Sequence, residues 1–80
     1  MDDAEIVRRV NELADEEHRL ERSHAGDGLG DDDAARLREI EVALDQCWDL
    51  LRQRRARRAA GEDPDGARVR PAGTVEGYQQ

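Results

Sequence analysis

Apolar residues recur along the first quarter of the chain at Ile6, Val10, Leu13 and Leu20, in steps of four, three and seven. The long step skips Glu17, and Val7 and Ala14 widen the same stripe. Positions so spaced line one face of a helix, which predicts an amphipathic helix over about residues 3–23. A second phased set follows at Leu37, Ile40, Leu44, Cys47 and Leu51, in steps of three, four, three and four, with Ala34 and Trp48 on one side of it. This set predicts a helix over about residues 32–60. Neither segment alternates as a strand would, so the expected class is all-α.

The polar residues mark the ends. Asp2 followed by Glu5 is a capping-box pair, and Asp2, Asp3 and Glu5 place negative charge at the end of the helix that favours it. Three glycines, Gly26, Gly28 and Gly30, interrupt any helix before Asp31, Asp32 and Asp33 open the next one. Gly30 or Asp31 is its expected cap, with Leu29 as a hydrophobic staple. Gly61 suits a helix C-terminus and Pro64 lies shortly beyond. Residues 61–80 carry no helical or strand period. They divide the chain into a helical hairpin, residues 1–60, and a C-terminal tail expected to be disordered or extended along the helices, with the loose form favoured.

A short connection makes the two helices antiparallel neighbours. Aligned stripes layer Leu20 with Leu37, Glu17 with Ile40, Leu13 with Leu44, Val10 with Cys47 and Ile6 with Leu51. That register sets Asp2, Asp3 and Glu5 beside Arg52, Arg54 and Arg55. Both stripes are wider than one partner helix covers, since Val7, Ala14, Ala34 and Trp48 flank the shared seam. A single core in so short a chain supplies only about 3–5 kcal/mol. The expectation is therefore a two-fold dimer forming a four-helix bundle.

Composition sharpens this picture. The chain has 80 residues, 20 acidic and 13 basic, for a net charge of −7. All basic residues are arginine, and Leu, Ile and Val total 14. Such an average borders on that of disordered chains, and only the phased stripes separate it from them. No apolar run approaches the length of a membrane span or of a signal-peptide core. A cytoplasmic protein without a membrane partner is expected. One cysteine excludes a disulfide framework.

Candidate chemistry is sparse. Asp15 and His18 stand three apart beside Glu17, the spacing of carboxylate-bridged metal bundles. The second helix has no histidine to complete such a site, so a solvated acidic face is the simpler reading, and neither metal nor cofactor is expected. Glu41, Asp45 and Asp49 read as surface carboxylates. Cys47 on an apolar stripe reads as a small core residue, and Ser23 has no organised base near it in sequence. The run containing Arg52, Arg54, Arg55, Arg57 and Arg58 lies in a stretch, residues 34–60, with seven arginines and four carboxylates. It is a nucleic-acid candidate, set against the acidity of the whole chain, which repels phosphate backbones. The expected role is a non-catalytic interaction or regulatory module that self-associates or meets a protein partner. The nucleic-acid reading is the alternative and the metal bundle a third.

Several segments resemble one family: Met1-Asp2-Asp3-Ala4-Glu5-Ile6, Glu16-Glu17-His18-Arg19-Leu20, the stretch from Leu44 through Cys47-Trp48 to Ala56, Arg70-Pro71, and Val75-Glu76-Gly77-Tyr78. They look like a family of small actinobacterial proteins catalogued as domain of unknown function 2630. The resemblance implies an intracellular actinobacterial protein and supplies no activity, substrate or catalytic residue. The sequence departs from the pattern at residues 25–33, where Gly30 stands before the aspartates in place of a Ser or Thr cap. The resemblance directs attention to Glu17, His18, Cys47, Trp48 and Tyr78, whose types stand in its motifs, and raises the case for a docked tail. Candidate interaction residues are thus Val7, Val10, Glu17, His18, Cys47, Trp48, Arg54, Arg55, Arg57, Arg58 and Tyr78.

Overall fold

A computed structural model describes residues 1–23 and 30–76. Helix α1 spans Asp3–Ser23 and helix α2 spans Asp31–Ala59. A 3-10 turn, Pro64–Gly66, and a short helix α3, Ala72–Glu76, follow. No strand occurs among the described residues. The expected staple Leu29 and candidate Tyr78 lie outside the described residues.

The local signals act as their chemistry requires. At the start of α1 the Asp2 backbone N–H donates to Glu5 Oε1 at 3.1 Å, and the Glu5 N–H donates to Asp2 Oδ1 at 2.8 Å. This reciprocal pair satisfies two donors that a helix start leaves without partners. Helix α2 begins one residue earlier than the stripe indicated. Gly30 is its cap through the backbone alone, its carbonyl accepting from Ala34 N–H at 2.9 Å. The other end closes at Gly61, φ 76°. There the Gly61 N–H reaches the Arg58 carbonyl and the Glu62 N–H the Arg57 carbonyl, the paired bonds of a Schellman turn.

The helices pack antiparallel around Ile6, Val10 and Leu13 of α1 and Ile40, Cys47 and Leu50 of α2, all buried. Leu20, Ala43, Leu44 and Leu51 pack against them half-buried. Asp3 lies opposite Arg54, in line with the register that layers Val10 with Cys47. The buried face of α2 is rotated from the expected stripe, with Leu50 more buried than Leu51. The tail is the cause, since its Ala67 packs against the same core.

Residues 61–76 correct the favoured expectation of a loose tail and follow its alternative, a segment laid along the helices, with a 3-10 turn and a short helix added. The chain turns at Asp63, whose carboxylate accepts from the Asp65 N–H at 2.9 Å. It then returns along α2 and ends in α3, where Val75 is fully buried. The tail has no apolar period because polar side chains of α2 hold it, so hydrophobic patterning carried no sign of its docking.

Candidate functional site

Three consecutive residues of α2 face three environments. Cys47 sits in the seam with α1. Trp48 stands on an open groove, and Asp49 is fully buried beneath the tail. Successive residues of a helix point about 100° apart, so one tripeptide samples the seam and both flanks of α2.

The Trp48 flank is a groove of about 620 Å³ lined by Glu17 of α1 and by Arg38, Glu41, Val42, Leu44, Asp45 and Trp48 of α2. Trp48 keeps 48% of its surface exposed. Ala14 lies one turn before Glu17 and Val7 two turns before Ala14. Both are exposed, Val7 at 46%. The groove thus mixes three apolar side chains, Val42, Leu44 and Trp48, with three carboxylates and one guanidinium.

The Asp49 flank is closed. Arg70 forks onto Asp49, its Nε donating to Oδ2 at 2.9 Å and its Nη2 donating to Oδ1. Gln53 Nε2 donates to Asp49 Oδ2 at 2.8 Å and to the Arg68 carbonyl at 2.7 Å, while its Oε1 accepts from the Arg68 N–H at 3.2 Å. Gln46 Nε2 donates to the Arg70 carbonyl at 3.1 Å. Asp49, expected on the surface, is thus the most deeply buried polar residue described. The available signal was the polar stripe Gln46, Asp49, Gln53, Arg57 at helical spacing. Such a stripe ordinarily faces solvent, and only the returning tail gives it partners.

The arginine run is largely engaged within the molecule. Arg54, 6% exposed, donates to Asp3, to the Met1 carbonyl at 3.0 Å and to Asp65 Oδ1 at 2.9 Å. Arg58 meets Asp3 at 3.0 Å and Arg57 meets Glu62 at 3.3 Å. Arg55 is exposed. The acidic start of α1 faces the run as expected, with Asp3 meeting Arg54 and Arg58 while Asp2 and Glu5 form the capping pair. Hydrogen bonds from Arg54 and Arg58 hold the Asp3 carboxyl below its ordinary range, and the bonds to Asp3 and Asp65 raise Arg54. Glu16 is likewise lowered by Arg36, which reaches both its oxygens at 2.7 Å.

The remaining candidates do not converge. Asp15 and His18 are exposed and Glu17 is half-buried at the groove edge. Among the described residues no group of three His, Cys, Asp or Glu side chains could hold a metal ion. Burial pushes the Cys47 thiol up, away from the thiolate that reactive cysteines use. Val10 belongs to the core rather than to a surface. Among the described residues no helix is long and apolar enough to cross a membrane.

The chain belongs to the family described as protein of unknown function (DUF2630), whose pattern matches residues 2–80. It is similar to uncharacterized proteins of Mycobacterium bovis and of two strains of Mycobacterium tuberculosis. Each is 48% identical over 77 residues, which cover 95% of this chain and 88% of the relative. No solved structure matches it.

Proposed function

We propose that this DUF2630 protein is a non-catalytic interaction module of the cytoplasm that self-associates through the Trp48 flank into an antiparallel four-helix bundle. The observation that carries the reading is Trp48, half-exposed on an open groove that Val42 and Leu44 also line. Exposed tryptophan is the side chain most often found as an interface anchor, and contiguous exposed apolar surface marks contact sites. Val7 and Ala14 extend the surface along α1, so a two-fold copy meets like with like. Arg38 of each copy can pair with a groove carboxylate of the other, Glu17, Glu41 or Asp45. The thinness of the hairpin core adds support, because burial against a second copy supplies the apolar area that one copy lacks.

Sedimentation velocity over a concentration series tests this. The wild-type chain is expected to be dimeric at low micromolar concentration. Trp48→Ala is expected to weaken the dimer at least about tenfold, with helical circular dichroism retained. A wild-type chain that stays a folded monomer across the series would sink the reading.

A further inference from the structure

The opposite flank of α2 has the parts of a peptide-binding site. Gln53 bonds both the N–H and the C=O of Arg68, as a neighbouring strand would. Gln46 takes the Arg70 carbonyl. These contacts read backbone and are indifferent to side chains. Asp49 reads identity, because its two oxygens accept the fork of one guanidinium. That geometry suits arginine and not lysine. Pro71 restrains Arg70 to the extended conformation that the backbone contacts require. Downstream, Val75 supplies an apolar anchor.

We propose that Gln46, Asp49 and Gln53 form a recognition site for an extended arginine–proline segment, and that the site accepts the tail of a second copy in trans as well as the chain's own tail in cis. The hydrogen bonds described above join residues 68–70 to Gln46, Asp49 and Gln53 of α2, so a second copy offers the same set. The connection at residues 60–67 contains Gly61, Pro64 and Gly66, and its own anchors, Ala67 at the core and Asp65 on Arg54, lie before the first residue of the bound segment. The tail in cis holds its advantage through proximity, an effective concentration on the order of millimolar. Disabling that tail opens the site. The site lies on the flank away from Trp48 and does not depend on the self-association proposed above.

The test uses the full-length Arg70→Gln chain, whose own tail lacks the fork, and a labelled synthetic peptide of residues 66–80 in the natural sequence. Saturable binding is expected by fluorescence anisotropy, about tenfold or more tighter than to the wild-type chain, where the cis tail competes. Adding Asp49→Asn to Arg70→Gln is expected to lose this binding by about tenfold or more, as is replacing Arg70 by lysine in the peptide. If the Arg70→Gln chain is not helical alone, the same peptide is expected to restore its helical circular dichroism. Adding Trp48→Ala to Arg70→Gln is expected to leave peptide affinity unchanged. The proposal is overturned by equal binding to the Asp49→Asn/Arg70→Gln chain, by loss of binding with Trp48→Ala, or by a peptide that neither binds nor restores the Arg70→Gln chain.

Discussion

Trp48 and Asp49 are sequence neighbours with opposite fates. The apolar residue is half-exposed and the charged one fully buried. The difference lies in what lies over each flank. The tail covers Asp49 with a complementary guanidinium and fixed amides, and a carboxylate so supplied tolerates burial that would otherwise be prohibitive. Among the described residues none closes over Trp48, which keeps 48% of its surface exposed. Burial along this helix therefore follows the supply of partners rather than hydropathy, and side-chain hydropathy misassigns both positions in the same way.

The largest test of that contrast is Arg70→Ala, which removes the guanidinium fork from the buried Asp49 carboxylate. Chemical denaturation should show a loss of about 3 kcal/mol, the lower end for a broken buried pair because Arg70 itself is half-exposed. A loss well below about 1 kcal/mol would mean that the two flanks differ less than the burial indicates. Gly61→Ala comes next. It places a side chain at φ 76° in the turn that launches the tail onto the Asp49 flank, and should cost about 1 kcal/mol in the same measurement.

Acid probes the seam that both flanks share. Asp3 and Glu16 have carboxyl groups lowered in the folded state from ordinary values of 3.8 and 4.5. A folded value below the unfolded one means stability that is complete above the unfolded value and is lost as pH falls through the folded one. Thermal stability should therefore fall from near pH 4.5 downward, and Asp3→Asn combined with Glu16→Gln should flatten that decline. The smallest effect is expected at Trp48. Trp48→Ala should change the stability of the dissociated monomer by less than about 1 kcal/mol, because the removed surface is already half in water. A larger loss would make Trp48 part of the fold and remove the contrast with Asp49 from the other side.

Much of the hairpin was legible in the residues. The stripes through Ile6, Val10 and Leu13 and through Ile40, Leu44 and Cys47 located both helices, because periodic burial against one neighbour leaves a periodic mark. The Asp2–Glu5 box and Gly61 located their ends, because capping depends on residues within a few positions of each other. The candidates Glu17 and Trp48 line one groove. Asp49, Gln46, Gln53 and Arg70 went unrecognised as a set. Their bonds join positions 15 to 24 residues apart, and no local period connects a helix to an irregular segment.

The sequence by itself determined that two amphipathic helices form, where they begin and end, and that they lie antiparallel, since those outcomes follow from local spacing, capping and a short connection. Only the tertiary structure decided which flank of α2 the tail occupies and therefore which carboxylate is buried. That choice depends on Arg68, Arg70 and Val75 arriving together against α2, and the energy of a buried charge is set by groups brought near it in space.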